Sequence, residues 1–528
     1  MKVLVSDNLG EAGIKMFQDE DGIDVDVKTG LSPEELKSII GDYDALVIRS
    51  ATTVTEDLLN AATKLKVVGR AGIGLDNVNI PAATKRGVIV MNTPGGNVIT
   101  TAEHAIAMIL SLSRNIPEGT SSLKAGRWDK KKLQGREIYN KVLGVIGLGK
   151  IGSIVADRAR GLKMQVIVHD PYVTPEQIQK AGYECVSLEE LYQRSDYITV
   201  HVPKLKDTIG LINKDAFQQM KDGVMIVNCA RGGIVDEADL YEAMRSGKVA
   251  GAALDVFETE PPGICRLFEL DHLICTPHLG ASTQEAQTKV AVDVASQIID
   301  YLKNGTVLNA VNVPSVTGDI LNKLKPLLTL ANQMGSLQAQ LNKGAVKEVV
   351  VEYAGDFKGL DLSPVSIAVL RGLLAHVVKD DVNFVNAQIL AKERGIKVTE
   401  ATSDDSGEYI NLITVKVMTT EMTNTVSGTI FGKNELRIVK INNFRLELIP
   451  NGHISLLYNY DKPGAIGSFA TLLGRNNINI DQMQVGQDES GEMNIIFLKT
   501  NVSIPPEVIE EMHRLELIKT VTPLEFDI

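Results

Sequence analysis

The sequence predicts an α/β fold in which one α/β domain is inserted into another, followed by an α+β module and a ferredoxin-like βαββαβ module. Three observations predict this order: two blocks in which short β-rich runs alternate with helical runs, two similar long helical stretches that bracket the second block, and a change of character near residue 317. Strands that alternate with helices are typical of βαβ units around a parallel sheet. The length of 528 residues also favours several domains over one compact core.

The first block covers about 95 residues and contains strand-like and helical runs in turn. The strand-like runs lie at 2–6, 25–27, 45–49 and 66–69, and the helical runs at 10–18 and 33–40. Helical stretches at 100–114 and 283–302 flank the second block, which begins at Lys141. Because two similar helices bracket this block, we predict a discontinuous domain, 1–97 and 283–316, that hosts an inserted domain at 98–282.

The rest of the chain predicts two further modules. Residues 317–450 open with a helix near 320–342 and continue with strand-like runs at 347–353, 412–418 and 438–441, which indicates an α+β module. From His453 onward the order strand, helix, strand, strand, helix, strand predicts a ferredoxin-like module over 451–528.

Composition excludes several classes of function. The 54 Lys and Arg against 66 Asp and Glu give a formal charge of −12, which argues against broad binding of nucleic acid or anionic lipid. No apolar run approaches the roughly 18 residues of a membrane span, and the amino terminus lacks a signal-peptide pattern. The four cysteines have no C-x-x-C spacing, so we expect no disulfide framework and no metal site. We expect a reduced, cytoplasmic compartment and a small-molecule substrate.

A dinucleotide-binding motif opens the inserted domain. Gly147, Gly149 and Gly152 form G-x-G-x-x-G between a strand-like run and a helical run, and the next strand-like run ends at Asp170. Glycines let backbone N–H groups approach a pyrophosphate at a helix N-terminus, and a carboxylate about 20 residues later accepts the ribose hydroxyls. We therefore predict a Rossmann-type domain that binds NAD rather than NADP, since the carboxylate repels a 2′-phosphate. The alternative is a glycine-rich turn with a structural role only.

Three later apolar runs each end in polar residues, in the segments NCARGG, DVFETEPP and TPHLG. Oxidation of an alcohol by hydride transfer needs a base for the hydroxyl proton, and His278 is the candidate because histidine titrates near neutral pH. Glu260 would hold the imidazole in one tautomer, and Arg231 would bind a substrate carboxylate through two hydrogen bonds. Each residue alone has a structural or solvated alternative; together they favour a catalytic trio.

The motifs stand in the order typical of the D-isomer-specific 2-hydroxyacid dehydrogenase family, which the whole chain resembles. They are NTPGGNVITTAEH, GVIGLGKIG, NCARGGIVDEADL, GAALDVFETEPP and TPHLGAST. The last two modules are similar to the intervening domain and the ACT domain of the long members that act in serine synthesis. The resemblance implies a flavodoxin-like substrate domain around the Rossmann-type domain, and it implies catalytic roles for Arg231, Glu260 and His278.

The resemblance also implies the ligands and their contacts. The implied reaction is NAD-dependent oxidation of 3-phosphoglycerate to 3-phosphohydroxypyruvate. The implied NAD contacts are Gly147, Gly149, Lys150, Ile151, Gly152, Asp170, Cys229, Ala230, Asp255 and Gly280. The implied substrate contacts are Arg49, Ser50, Gly72, Asn97 and, from a neighbouring subunit, Lys130. Lys130 stands where relatives have Arg and lacks the bidentate fork of a guanidinium. As alternatives, Arg49 is only a surface residue, Asn97 only a helix cap, and Lys130 part of a solvated face.

The terminal module suggests regulation. In ACT domains the loop that contains Asp461 pairs with a second domain to bind an amino acid, so the resemblance implies an L-serine site at Asn459, Asp461 and Asn479. It also implies a homo-oligomer, dimeric or tetrameric. The alternative is that this module serves assembly alone. Two other functions stay open: a dehydrogenase of another D-2-hydroxy acid, and a non-catalytic protein that senses NAD.

Overall fold

A computed structural model describes residues 1–313, 318–357, 359–378, 382–432, 434–487 and 492–526. Four sheets, of five, seven, six and four strands, organise this part of the chain. The predicted boundary between residues 316 and 317 lies outside the described residues. Within them, no helix is both long and apolar enough to cross a membrane.

The amino-terminal residues form a parallel five-stranded sheet with helices between the strands. Its elements are β1 (Lys2–Val5), α1 (Glu11–Gln18), β2 (Asp24–Val27), α2 (Pro33–Ile39), β3 (Ala45–Ile48), α3 (Glu56–Ala61), β4 (Val67–Arg70), α4 (Ile80–Lys85) and β5 (Ile89–Met91). The strand order is β2-β1-β3-β4-β5, and all the pairs are parallel. This is the flavodoxin-like order. Because such strands are covered on both faces, β3 is a continuous apolar run whose residues are all buried.

The inserted block forms a parallel seven-stranded sheet. Its elements are α5 (Val98–Ser113), α6 (Ile116–Lys124), β6 (Val142–Ile146), α7 (Lys150–Gly161), β7 (Gln165–His169), α8 (Pro175–Lys180), β8 (Glu184–Cys185), α9 (Leu188–Arg194), β9 (Tyr197–Val200), α10 (Lys214–Gln219), β10 (Val224–Asn228), α11 (Glu237–Arg245), β11 (Val249–Leu254) and β12 (Leu273–Cys275). The order β12-β11-β10-β9-β6-β7-β8 reverses between β6 and β9. In doubly wound sheets such a switch point marks the crevice where a dinucleotide binds.

The two bracketing helices belong to different cores. The side chains of α5 pack against the inserted sheet, where Ala105 and Met108 share a core with Val145. Helix α12 (Gln284–Asn304) instead packs on the first sheet, where Val294 and Ile298 share a core with strands β1, β3, β4 and β5. The first domain is therefore built from both sides of the insertion.

The third module contains more strands than the sequence predicts. Its elements are α13 (Gly318–Leu341), β13 (Val346–Gly355), α14 (Ser363–Ala375), α15 (Ala387–Glu393), β14 (Lys397–Ser403), β15 (Asn411–Thr419), β16 (Thr423–Phe431), β17 (Glu435–Ile441) and β18 (Phe444–Leu448). The strand order is β14-β13-β15-β16-β17-β18. The three predicted strands lie in β13, β15 and β17. The strand β14 escaped prediction because it is a mostly exposed, polar edge strand.

The terminal module has the predicted ferredoxin-like order. Its elements are β19 (His453–Tyr460), α16 (Ala465–Arg475), β20 (Ile480–Gln487), β21 (Met493–Thr500), α17 (Pro506–His513) and β22 (Ile518–Leu524), and the sheet order is β20-β21-β19-β22. Phe469 and Met512 cover one face of the sheet. On the other face, Leu456 and Phe497 share one core with Met334 of α13. The last two modules are therefore continuous in their packing.

Candidate active site

The strand ends of the two parallel sheets approach each other across a cleft. Arg231, which follows β10, donates from Nε to Asp76 Oδ2 of the first domain at 2.8 Å. Lys150 Nζ, at the start of α7, lies 3.4 Å from the carbonyl oxygen of Pro94. These contacts join the carboxyl-end loops of both sheets, which is where ligands bind in open α/β sheets.

Two members of the predicted trio are in direct contact. His278 Nδ1 lies 2.6 Å from Glu260 Oε2, while Glu260 Oε1 accepts a hydrogen bond of 3.0 Å from the backbone N–H of Phe257. Because an ionised carboxylate only accepts, the neutral imidazole carries its proton on Nδ1 in this bond. The lone pair on Nε2 is therefore available to a substrate hydroxyl.

Arg231 and His278 act together on the ionisation of Glu260. Burial would raise the pKa of Glu260, but hydrogen bonds from His278 and the Phe257 backbone, and the charges of His278 and Arg231, hold it below its ordinary value. The carboxylate therefore stays ionised at neutral pH and can stabilise an imidazolium that forms beside it. The structure thus brings all three predicted residues into one electrostatic cluster.

Asp255 organises the turn on which His278 lies. Its carboxylate, 1% exposed, accepts hydrogen bonds from Thr276 Oγ1 and the backbone N–H groups of Leu279 and Gly280 at 2.6–2.8 Å. The His278 backbone occupies the left-handed region, with φ 54°. Although burial would raise the pKa of Asp255, hydrogen bonds from His104, Thr276 and Leu279 lower it. In this structure the predicted cofactor contacts Asp255 and Gly280 therefore bind each other and hold the catalytic turn.

The glycine-rich loop has the shape that a pyrophosphate requires. A Cβ on Gly147, whose φ is +93°, would lie 2.7 Å from the His201 carbonyl oxygen, and one on Gly152 would lie 2.0 Å from the Gly147 carbonyl oxygen. A Cβ on Gly149, in contrast, meets nothing within 4 Å. Gly149 therefore faces open space at the N-terminus of α7, and the residues present fit a dinucleotide there.

The carboxylate at the end of β7 is already oriented toward this loop. Asp170 Oδ2 accepts a 2.7 Å hydrogen bond from the backbone N–H of Leu148, and Oδ1 accepts one of 2.8 Å from Tyr172. Ile151, on the first turn of α7, packs partly into the core of the inserted domain. Leu148 and Asp170 thus link the motif to the carboxylate predicted to bind the ribose.

The segment after β10 lies at the same strand ends. Cys229 is buried, which raises the pKa of its thiol, so it is a packing residue and not a nucleophile. The Ala230 carbonyl oxygen accepts a 2.7 Å hydrogen bond from Arg231 Nη1, and Asn228 Nδ2 donates to the Arg231 carbonyl oxygen at 2.8 Å. This turn fixes the direction in which Arg231 leaves the sheet.

A buried carboxylate that the sequence analysis did not identify shapes the predicted substrate loop. Asp7, 6% exposed, accepts hydrogen bonds of 2.6–3.2 Å from the backbone N–H groups of Arg49, Ala51 and Thr52 and from Thr52 Oγ1. Arg49 Nη1 donates to the Asn8 carbonyl oxygen at 2.9 Å. Both the backbone and the side chain of Arg49 are therefore hydrogen-bonded within the loop. Its neighbour Ser50 is exposed.

Asn97 does not cap its helix as the alternative expects. It occupies the N-cap position of α5, but its side chain accepts no hydrogen bond from the helix, and its Oδ1 is buried without a partner among the described residues. An acceptor left in this state is costly unless a ligand supplies a donor. The carbonyl oxygen of Gly72 accepts a hydrogen bond of 3.1 Å from the backbone N–H of Thr93. This bond joins the loop of Gly72 to the loop that leads to Asn97.

Arg70 is a further candidate site residue, which the sequence motifs do not identify. Its Nε is buried without a hydrogen-bond partner in the part of the chain that the structure describes. Burial and the nearby charges of Arg231 and Arg49 lower the pKa of Arg70 to about 10, although the charges of Asp76 and Asp7 act in the other direction. Arg70 therefore remains a cation at neutral pH. A Cβ on Gly72 would lie 2.6 Å from Arg70 Nη1. The sequence feature that could have identified Arg70 is its position at the end of the apolar strand β4.

Lys130 is not part of this cluster within one chain. It is exposed on the segment between α6 and β6, and it makes no ion pair with the described residues. Trp128, two residues earlier, is 80% exposed. The contact of Lys130 with a neighbouring subunit's substrate therefore stays a prediction.

The three predicted regulatory residues do not meet within one chain. Asn459 and Asp461 lie at the carboxyl end of β19, where Asn494 Nδ2 donates to Asp461 Oδ1 at 2.9 Å. Asn479 precedes β20 at the opposite end of the sheet, because Ile480 pairs with Thr500 whereas Tyr460 pairs with Met493. The seven-residue offset along β21 corresponds to about 23 Å.

Comparison with known proteins decides the family. Residues 106–280 match the NAD-binding domain of D-isomer specific 2-hydroxyacid dehydrogenases, 323–442 the D-3-phosphoglycerate dehydrogenase intervening domain, and 454–517 the ACT domain. A D-3-phosphoglycerate dehydrogenase of Archaeoglobus fulgidus is 44% identical over 99% of this chain and 100% of its own length. That of Bacillus subtilis is 44% identical over 98% of each.

The chain belongs to the D-3-phosphoglycerate dehydrogenase family of D-isomer specific 2-hydroxyacid dehydrogenases.

Solved structures match about three fifths of the chain. The TT0316 protein of Thermus thermophilus is 31% identical, with a TM-score of 0.55 over 59% of this chain and 100% of its own. A D-lactate dehydrogenase of Aquifex aeolicus, solved with NAD and lactic acid, is 27% identical, with a TM-score of 0.53 over 60% and 100%. The inserted domain is therefore an NAD-binding domain of this family, as predicted from the glycine motif.

Replacing Glu260 by Gln tests the ion pair beside the imidazole. Since the lowered pKa keeps the Glu260 carboxylate charged across the neutral range, the variant loses the anion that stabilises the imidazolium at every neutral pH. We expect kcat/KM for the hydroxy acid to fall about tenfold to a hundredfold, less than the largest losses seen when a general base is removed. The neighbouring exposed Glu258→Gln is the matched control. Equal kcat/KM for wild type and Glu260→Gln would remove Glu260 from the chemistry.

Proposed function

We propose that this protein catalyses NAD-dependent oxidation of 3-phosphoglycerate to 3-phosphohydroxypyruvate, the entry to serine synthesis. One observation supports the phosphorylated substrate above others: Arg70, Arg49 and Arg231 interact electrostatically at the cleft, and the buried Nε of Arg70 has no partner in the described structure. A buried N–H donor without an acceptor costs free energy unless a ligand supplies one. A substrate with both a carboxylate and a phosphate supplies two anionic acceptors.

The protein groups account for the proton and the negative charges of this reaction. When bound, NAD supplies the acceptor for the hydride that leaves the carbinol carbon. The hydroxyl proton passes to Nε2 of His278, and the substrate is left as the ketone. Glu260 stabilises the resulting imidazolium, while Arg231 holds the substrate carboxylate and orients the hydroxyl toward the base. The proposed binding site of the cofactor is the glycine-rich loop together with Lys150 and Asp170.

The same site bears on the two alternatives. A dehydrogenase for another D-2-hydroxy acid needs His278, Glu260 and Arg231 but does not require a further arginine whose buried Nε lacks an acceptor among the described residues. A protein that only senses NAD needs neither the base nor its carboxylate partner, which lie 2.6 Å apart here. Both alternatives therefore leave part of the observed cluster unexplained.

Substitution of Arg70 by Met tests the phosphate directly. We expect KM for 3-phosphoglycerate to rise about tenfold or more, since a charged hydrogen-bond partner is lost, whereas KM for unphosphorylated D-glycerate should change little. Steady-state rates with both substrates measure this difference. The control is Arg86→Met, an exposed arginine at the end of α4 without an ion pair among the described residues. If the wild type oxidises D-glycerate as efficiently as 3-phosphoglycerate, the substrate is another hydroxy acid.

We also propose that L-serine inhibits the enzyme by binding between two terminal modules. Asn459 and Asn494 are buried, and the Oδ1 of each has no partner in the described part of the module. Strand β20 pairs only with β21 among the described strands, so its outer edge can pair with a second copy. Antiparallel β20–β20 pairing would bring Asn479 of one copy to the end of the sheet where Asp461 of the other lies. Two copies would thus bring together the residues that lie at opposite ends of the sheet in one chain.

Complementation between variants tests this arrangement. Asp461→Ala and Asn479→Ala, each alone, should abolish serine inhibition, whereas co-expression of the two chains should restore it in mixed dimers, because one of the two shared sites is intact. Inhibition curves and calorimetric serine binding measure the effect. Serine inhibition that survives in Asp461→Ala alone, or mixed dimers without any recovery, would contradict the shared site.

A further inference from the structure

Groups from both sides of the cleft hold Arg231. Its Nε donates to Asp76 Oδ2 of the first domain at 2.8 Å, and its Nη1 donates to the carbonyl oxygen of Ala230 in its own loop at 2.7 Å. Asp76 lies on the segment between β4 and α4, 155 positions before Arg231. Neither the motifs nor the family matches assign a role to Asp76.

The two bonds leave one edge of the guanidinium available. A guanidinium carries five N–H donors in a planar fork. Asp76 uses the Nε donor and Ala230 uses one donor of Nη1, so the edge formed by Nη1 and Nη2 keeps donors for a carboxylate. Asp76 therefore binds the side of Arg231 that a bidentate substrate does not need, and it does not compete with the substrate.

The loop that contains Gly74 leaves space for the guanidinium of Arg231 beside Asp76. A Cβ on Gly74 would lie 1.8 Å from Arg231 Nη2 and 2.8 Å from Asp76 Oδ2. A side chain at position 74 would therefore displace the guanidinium or its partner. Gly74 lets the backbone of the first domain pass close to Arg231 while Asp76 turns back to meet Nε.

The Asp76–Arg231 pair contributes more to orientation than to stability. The side chain of Asp76 is 57% exposed and that of Arg231 is 28% exposed. Ion pairs with such exposure are screened by solvent and contribute little to folding. The orientation matters because Arg70 is a nearby cation that repels Arg231, whereas the hydrogen bond to Asp76 holds the guanidinium in place.

We propose that Asp76 is a positioning residue for the reaction: it orients Arg231 from across the cleft so that the Nη1–Nη2 edge faces the carboxylate of the substrate. Alignment of Arg231 then depends on the first domain, which holds Asp76, lying against the inserted domain, which holds Arg231. This inference rests on the proposed function only in taking a 2-hydroxy acid carboxylate as the ligand of Arg231.

Steady-state kinetics of Asp76→Asn, Asp76→Glu and wild type test the proposal. For Asp76→Asn we expect KM for the hydroxy acid to rise about tenfold, with KM for NAD and the melting temperature unchanged and with partial recovery in Asp76→Glu. Asp42→Asn, which removes the exposed carboxylate facing Lys64 at 3.4 Å, is the matched control and should change none of these values. An unchanged KM for the hydroxy acid in Asp76→Asn overturns the proposal.

A double-mutant cycle separates orientation of Arg231 from any other effect. Calorimetric binding of oxalate to the NADH-loaded enzyme is measured for wild type, Asp76→Asn, Arg231→Gln and the double variant. If Asp76 acts through Arg231, Asp76→Asn weakens oxalate in the wild-type background and adds no further loss in the Arg231→Gln background. Equal losses in both backgrounds overturn the proposal. The cycle uses no turnover, so it stays informative even if 3-phosphoglycerate proves not to be the substrate.

Discussion

The 2.6 Å hydrogen bond between Glu260 and His278 is the interaction on which the rest of the site depends. It requires two loops of the inserted sheet, after β11 and after β12, to meet at the cleft. The buried carboxylate of Asp255 makes this meeting possible, because it follows β11 and accepts N–H groups from the turn after β12. That turn presents His278 with a left-handed backbone. Packing of the parallel strands thus positions Asp255, and Asp255 fixes the turn that places His278 beside Glu260.

Three arginines lie together at the cleft of a chain whose net charge is negative. The protein carries a formal charge of −12, yet Arg49 and Arg231 lie close enough to Arg70 to lower its pKa. Asp7 shapes the loop of Arg49, and Asp76 orients Arg231, whereas Nε of Arg70 has no acceptor among the residues that the structure describes. The proposed substrate, with a carboxylate and a phosphate, would supply two anionic groups to these arginines. The local placement of the arginines, not the net charge, therefore favours an anionic ligand at this cleft.

Sequence alone predicted the parts of the site that depend on local spacing. The glycine motif and Asp170 are separated by one βαβ unit, and the polar residues at strand ends converge because parallel strands share an edge. Arg70 and Asp76 could not be predicted in the same way. The importance of Arg70 comes from burial beside two other arginines, and that of Asp76 from a partner 155 positions away.

The carboxyl-terminal modules also contain features that could not be predicted from the sequence. The ferredoxin-like order of the terminal module follows from its alternating runs and short turns, but the separation of Asn479 from Asp461 depends on strand register, which hydrophobic pattern does not reveal. In the intervening module the exposed edge strand β14 lacks the apolar alternation that would have identified it. Tertiary pairing, not local propensity, defines both features.

Nitrogen NMR of the histidine side chains tests the central claim most directly. With ¹⁵N-histidine label and His278→Gln to assign the resonance, the tautomer of His278 can be read in the wild type and in Glu260→Gln. The geometry predicts a neutral imidazole protonated on Nδ1, with Nε2 unprotonated, and loss of this preference in Glu260→Gln. A wild-type His278 that carries its proton on Nε2, or a tautomer indifferent to Glu260, would contradict the assignment of His278 as the base.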